Sequence, residues 1–506
     1  MKAGESGMKI YIRLEGHDFK YEIEDVIRLF YGNEETSIEY QDPGEDNPGF
    51  VLYSGLESSL ENDGQFVLKT MLEEGGSVKF TENETFSIHS ADDEYEVKKI
   101  KKREVKRQLY KALSQYTARK MPWGVLTGIR PAKIVHELME KGFNREQIYS
   151  RLTDYYYVSG KKAELLYNIA QKEKHILDGT GPDKVSIYIG IPFCPTRCLY
   201  CSFTSNSVKK YAPFIKNYIE ALKKEIFGVG EILNAKGFKI QSIYMGGGTP
   251  TAIDAPYLEE LLSFIEESFD MGQMKEYTLE AGRPDSINRE KLEIIKKSKV
   301  NRISINPQSM NNEVLRNIGR LHTAEDIVEA FKLARDIGFD NINMDIIAGL
   351  PGEKLEGFKY TLEKIGELAP ESITVHTMAI KRASRLNEEK DSYSLISENE
   401  VAKIVDNAYD FITKIGLEPY YLYRQKNMLG NLENIGYSKP GYECMYNIQI
   451  MEEKQTIIAL GAGAVTKVVF PENNRIERIF NVKNVEEYVD RIEEMIDRKR
   501  SFIINC

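Results

Sequence analysis

The chain has 506 residues, more than one ordinary domain holds, which points to two to four folding units. A hydrophobic share of 42% and a charged share of 29% are those of a globular protein with material for a core, and a net charge of -10 argues against a general nucleic-acid binder. No run of eighteen apolar residues occurs and Met1 to Gly7 lack the layout of a signal peptide, so the expectation is a cytoplasmic protein without a membrane span.

Residues 8 to about 97 alternate apolar and polar positions in short stretches such as KIYIRLEG and FVLYSG, broken by the turn-rich DPGEDNPG. Residues 1–115 are therefore expected to form a small α+β domain. The pattern turns helical in VKKIKKREVKRQLYKALSQY, IVHELMEK and ELLYNIAQKEKHIL, and 116–180 reads as a helical connector. The basic run in the first of these stretches reads as a solvated helix face or as a patch for an anionic partner.

From 181 to 385 short apolar runs alternate with amphipathic helices. The expected strands are 185–191, 240–246, 276–281, 302–306, 341–349 and 372–379. Six βα units in series predict an α/β fold with a parallel sheet and right-handed crossovers. Six repeats suit a partial (βα)6 barrel, because no room remains for two more. Periodicity alone also allows a doubly wound sheet. Residues 386–506 open with the helix SENEVAKIVDNAYDFITKIG and then turn irregular, as a C-terminal substrate domain would.

Three of the five cysteines fall within eight residues, as Cys194-Pro-Thr-Arg-Cys198-Leu-Tyr-Cys201. That crowding is no disulfide framework, and three thiolates are one too few to close a tetrahedral zinc site. Three cysteines do hold a four-iron, four-sulfur cluster while leaving one iron open to a chelating ligand. Cys444 and Cys506 are isolated and read as ordinary thiols.

This segment resembles the radical S-adenosylmethionine (SAM) superfamily, and residues 184 to 470 resemble its oxygen-independent coproporphyrinogen III oxidase branch. The resemblance implies a [4Fe-4S] cluster on Cys194, Cys198 and Cys201, and two SAM molecules. Tyr188 matches a tyrosine contacting the SAM on the cluster. Gly246-Gly247-Gly248-Thr249-Pro250 matches the element that binds the methionine end of SAM, so Gly247, Gly248 and Thr249 are expected there. Glu280 matches a contact to the first molecule, although Gly282 and Arg283 replace the usual asparagine. Tyr200, Gln308, Arg320, Asp345 and Ala379 match contacts to the second. Taken alone, Asp345 also reads as a loop cap and Arg320 as a surface cation. Independently of any family, Tyr188 and the cysteines, the glycine triplet, Glu280, Gln308, Asp345 and Ala379 lie at or just past the C-terminal ends of the expected strands, where βα barrels build their sites. No residue is singled out as acid, base or nucleophile.

The reaction implied is oxidative decarboxylation of coproporphyrinogen III to protoporphyrinogen IX, with a flavodoxin- or ferredoxin-like electron donor. A substrate with four carboxylates calls for cations, and Arg320, Arg283 and Arg197 are rim candidates. The alternatives are a haem-binding or trafficking protein of the same family and a radical SAM enzyme for another tetrapyrrole. Phe203 stands where classical oxidases carry a further cysteine, a feature shared with haem chaperones. The stretch Cys444-Met-Tyr446-Asn447-Ile-Gln-Ile450-Met451 lacks the histidine and the Tyr-Trp pair of those chaperones. The first 180 residues resemble the extra domain of a longer coproporphyrinogen dehydrogenase variant from Gram-positive bacteria. Its stretch MPWGVLTGIRPAK (121–133), with Trp123 and Arg130, suggests either a wall of the porphyrin pocket or a buried turn.

Overall fold

The computed structural model describes residues 8–32, 36–40, 49–59, 64–88, 94–202, 206–389, 392–426, 428–470 and 475–503. The chain forms two compact units, Met1–Gly128 with Glu137–Tyr167, and Ile129–His136 with Asn168–Cys506.

The first unit begins with β1 (Met8–Glu15), α1 (Lys20–Tyr31), β2 (Thr36–Glu39), β3 (Phe50–Ser58), β4 (Gln65–Glu74), β5 (Ser77–Ser87) and α2 (Glu94–Thr117). Its sheet runs β2-β1-β3-β4-β5, parallel around β1 and antiparallel from β3 onward. Gly75 and Gly76, both at positive φ, close the β4–β5 hairpin in the left-handed turn that matches strand twist. Ile23, Val26, Ile27 and Phe30 of α1 are buried, as are Val105, Leu109 and Leu113 of α2. The basic run on α2 meets carboxylates of its own unit: Arg107 pairs with Glu84 and Glu104, Lys111 with Glu82, and Lys102 with Glu22. Trp123 is buried, as the structural reading of its stretch expects. Three helices follow: α3 (Ala132–Glu140), α4 (Arg145–Ser150), which runs into a π turn at Arg151–Tyr155, and α5 (Gly160–Leu177).

The second unit continues with β6 (Lys184–Ile191), β7 (Phe193–Cys194), β8 (Asn206–Ser207), α6 (Val208–Lys236), β9 (Lys239–Gly247), α7 (Ala255–Ser268), β10 (Glu276–Gly282), α8 (Arg289–Lys297), β11 (Arg302–Ile305), α9 (Asn312–Asn317), α10 (Ala324–Ile337), β12 (Ile342–Ala348), α11 (Leu355–Leu368) and β13 (Ser372–Thr377). All six expected strands are present. They lie side by side and parallel in the order β6-β9-β10-β11-β12-β13, the α/β partial barrel of six βα units. Their near-continuous burial, all four residues of β11 for instance, is what helices on one side and a filled interior on the other require. Helix signals are equally local: Thr323 and Asp326 form a capping box at the start of α10, and Gly338 at φ 101° ends it.

Residues 386–506 contribute α13 (Glu398–Lys414), β14 (Glu418–Tyr423), β15 (Asn434–Ser438), α14 (Met445–Glu452), β16 (Thr456–Leu460), β17 (Val465–Phe470), β18 (Arg475–Phe480), α15 (Val485–Asp490) and α16 (Ile492–Ile503), after a short α12 at Arg385–Glu388. These strands are not irregular. They extend the barrel sheet at both edges, giving eleven strands in the order β14-β15-β13-β12-β11-β10-β9-β6-β16-β17-β18. β16 is a seventh parallel strand, paired with β6. Its sequence, TIIAL, is a five-residue run with four buried residues that periodicity cannot tell from a helix turn.

Candidate active site

A cavity of about 350 Å³ opens at the strand ends of the barrel. Cys194, Cys198 and Cys201 line it together with Tyr200, Gly247, Gly248, Thr249, Glu280, Gln308, Arg320, Asp345 and Ala379. Of the cluster and SAM residues expected from sequence, Tyr188 is not on the wall, and neither is the rim candidate Arg197. The Tyr188 ring stacks on the wall residue Tyr244, and both stack on Tyr446, with centroids 6.3, 6.2 and 4.5 Å apart. Phe203 and Cys506 lie outside the described residues.

The cysteine loop is held on three sides. Gly248 N–H donates to Ile191 and Thr249 N–H to Phe193, both at 2.8 Å. A Cβ on Gly248 would stand 2.5 Å from the Phe193 carbonyl, so the glycine is needed for this approach. From β10, Arg283 donates to the Thr196 carbonyl at 2.9 Å and its hydroxyl at 2.8 Å, reaches Cys198 Sγ at 3.8 Å, and grips Asp285 with both arms. Beyond α9, Ile318 and Gly319 accept from Leu199 N–H and the Thr196 hydroxyl at 3.0 and 3.1 Å. Arg283 is thus a loop anchor, and Arg197 donates to the Ala383 carbonyl.

The three thiols are able to hold an iron–sulfur cluster. Burial pushes the Cys194 thiol up to about 12, Cys198 and Cys201 add to this, and Thr249 and Arg283 oppose it. Burial therefore favours the neutral thiol, and a bound metal would stabilise the thiolate instead. No other cysteine lines the cavity among the described residues, which leaves one iron of a four-iron cluster for a ligand.

Around this loop the barrel interior is polar. Asn343 donates to Asp345 at 2.7 Å and to Ser304 at 2.8 Å, and Thr374 donates to Asn343. Burial works to raise the Asp345 carboxyl, but His376, Asn343 and Thr374 hold it below the usual range. Glu280 behaves oppositely: burial pushes it up to about 7, against the hydrogen bond it accepts from Tyr244 at 2.5 Å. Gln308 sits at φ 69°, in the left-handed region that a non-glycine residue occupies only when its surroundings enforce it. Its N–H donates to the Asp345 carbonyl and its carbonyl accepts from Ile347, which clamps it to β12. Its Oε1 is buried without a partner, as are Arg320 Nε and both Nε and Nη1 of Arg302. Arg320 also donates to the Asn306 carbonyl at 2.6 Å and to the Tyr200 hydroxyl at 3.3 Å.

Several wall residues went unread in the sequence, among them Tyr244, Arg302, Asn343 and His376. Alternation would have found His376, because Thr374, His376 and Met378 line the cavity while Ile373 and Val375 do not. The haem-ligand positions between 440 and 455 are largely committed. Cys444 is fully buried with its thiol donating to Glu276 at 3.3 Å, and Arg130 pairs with Glu453.

A profile of the Radical SAM superfamily matches residues 188–365. Over 498 residues the chain is 39% identical to the oxygen-independent coproporphyrinogen-III oxidase-like protein HemZ of Bacillus subtilis, and the match covers 97% of each. The chain belongs to the radical SAM superfamily. This radical SAM protein is also 27% identical to the haem chaperone HemW of Escherichia coli, over 63% of its own length and 82% of the relative's. To the oxygen-independent coproporphyrinogen III oxidase of Escherichia coli it is 29% identical, over 46% and 50%. Membership of the superfamily implies a [4Fe-4S] cluster and SAM as cofactors. Among the described residues no helix is long and apolar enough to cross a membrane.

Proposed function

We propose that this radical SAM protein decarboxylates coproporphyrinogen III oxidatively, converting two propionates to the vinyl groups of protoporphyrinogen IX, with an electron donor of the flavodoxin or ferredoxin kind. One observation carries the reading: the cavity beside the cysteine loop is also lined by two arginines, Arg302 and Arg320, whose guanidinium groups keep buried donors without a partner, and propionates need cations.

Cys194, Cys198 and Cys201 would hold the cluster, which with SAM supplies hydrogen-atom abstraction driven by a single electron. Gly247, Gly248, Thr249 and Glu280 would bind the first SAM, with Tyr188 behind them in the aromatic stack. Tyr200, Gln308, Arg320, Asp345 and Ala379 would bind the second. Behind the wall residue Tyr244, the Tyr188 and Tyr446 rings stack on it and on each other. Arg302 Nε and Nη1 would orient a propionate, leaving its β-hydrogen toward the cluster loop.

The test is an anaerobic incubation of coproporphyrinogen III with SAM and a reductant, read by mass spectrometry. Loss of two carboxyl groups is expected. SAM cleavage by cluster-loaded protein with no decarboxylated product would overturn the proposal.

One observation favours a second reading, haem carriage. His376 and Met451 both face the cavity and are able to ligate iron. Haem titration of wild type and His376→Ala separates the two: tight binding lost in the variant, with no vinyl product from wild type, would establish the carrier.

A further inference from the structure

Away from the cavity, three buried side chains converge. His136 on α3, Glu173 on α5 and Glu452 at the end of α14 bring an imidazole nitrogen and two carboxylate oxygens within 4.8 Å of one another. His136 Nε2 lies 2.8 Å from Glu173 Oε2 and 3.9 Å from Glu452 Oε2. Both glutamates are at 0% exposure. Neither oxygen of Glu452 has a hydrogen-bond partner, and Glu173 Oε1 has none. Arg130 and Lys133 are nearby but pair with Glu453. None of the three residues lines the active-site cavity.

Two carboxylates sharing one sealed space repel each other if both ionise, and each lone pair left unmatched in the interior costs free energy. A single imidazole N–H satisfies one oxygen of the four. A compact charge of +2 would match both carboxylates at once.

We infer that His136, Glu173 and Glu452 form a binding site for a divalent first-row transition metal of the zinc or manganese class. One imidazole nitrogen with carboxylate oxygens is a donor set such ions accept. Ligand bonds of about 2.0–2.2 Å would place tetrahedral donors about 3.4 Å apart, so the three atoms need only draw together by side-chain rotation. Glu173 Oε1 and the second oxygen of Glu452 have no partner and remain available to the shell. The ion would fasten α14 to α3 and α5, and α14 carries Asn447 and Met451 on the cavity wall. Its role is to hold that wall, apart from the iron–sulfur chemistry.

The experiment uses full-length protein with its cluster loaded, so that the cysteine loop does not scavenge the probe. Zinc and manganese chlorides are added separately, excess is removed, and bound metal is measured by mass spectrometry beside thermal melting. Retention of one ion per chain is expected, with a Tm that rises with added ion and falls with chelator. Glu452→Gln and His136→Gln should each lose the ion while keeping the cluster. Anomalous diffraction at the metal edge gives the location even if a variant fails to fold. No retained ion in wild type, undiminished retention in Glu452→Gln, or an anomalous peak elsewhere would each overturn the inference. A cluster that merely shares protons would show as a Glu452→Gln variant more stable than wild type and indifferent to metal.

Discussion

Two polar regions are buried in the same unit, and they are built in opposite ways. Glu225 on α6 accepts from Lys499, Asn481, Tyr488 and the Gly461 N–H at 2.6 to 2.8 Å, and Lys499 also donates to Asn481 Oδ1 at 2.6 Å. Both carboxylate oxygens are used, and the pair is sealed from solvent. At the cavity, Arg302, Gln308 and Arg320 keep buried polar atoms with no partner. An unmade buried hydrogen bond costs about 1–3 kcal/mol, so the fold gives up stability there that it keeps around Glu225. Saturation marks the knot that ties α6 to α16, and the unfilled donors and acceptors leave the cavity wall able to take up a ligand.

The largest effect should come from breaking the cavity side. Cys198→Ala is expected to abolish cluster assembly and SAM cleavage, while the apo variant melts near apo wild type. Iron and sulfide content with product analysis checks it, and wild-type iron content would refute the ligand assignment. The knot should respond in the reverse sense. Lys499→Met leaves a buried carboxylate uncompensated and should cost about 3–5 kcal/mol in urea unfolding. SAM affinity of the folded fraction should stay unchanged. A neutral result would mean that saturation is no guide to stability here.

The same contrast explains what was legible in the sequence. Strands such as IQSIYMG and NINMDIIAG show themselves because burial on both faces demands continuous apolar runs, and the cysteine spacing reports chemistry that needs three thiols in one loop. Residues following those strands, Gln308 and Asp345 among them, could be placed at one rim by topology alone. The knot could not: Lys499 and Glu225 are 274 positions apart, and no local pattern couples them. Arg283 is a related case. Its position after β10 was readable, but its bonds to Thr196 and Asp285 are fixed by how the cysteine loop folds back. β16 stayed hidden because its partner, β6, lies over 260 residues earlier.

Within the cavity, Asp345→Asn and Glu280→Gln each remove a charge without changing size. Each should weaken SAM binding about tenfold or more, since a lost bond to a charged group is worth about 1.5–3 kcal/mol. Unchanged affinity in both, with the cluster intact, would remove them from the SAM site. Glu280 adds a pH signature. Its folded value near 7 lies above the ordinary 4.5 because burial favours the neutral acid. The folded state therefore binds more protons across that window, and its contribution to stability falls as pH rises from about 4.5 to 7. Melting curves of the ligand-free protein should show less of this fall in Glu280→Gln.

The smallest effect is expected where the two regions give way to plain packing. Cys444 caps α14, but the helix start is also held by Glu276, which accepts from Met445 N–H at 2.6 Å and Tyr446 N–H at 3.2 Å. Cys444→Ala removes one thiol donor and keeps both of those bonds. Tyr446→Phe removes a hydroxyl and keeps the ring between Tyr188 and Tyr244. Neither change alters charge at the cavity wall, and neither frees an iron ligand that was exposed. Coproporphyrinogen turnover should therefore stay within about threefold of wild type, a barrier change under about 1 kcal/mol. Anaerobic turnover and haem titration on the same preparations read both quantities. Loss of tight haem binding in either variant would show that this stretch holds haem iron after all, and that burial in the ligand-free state conceals a ligand that opens on binding.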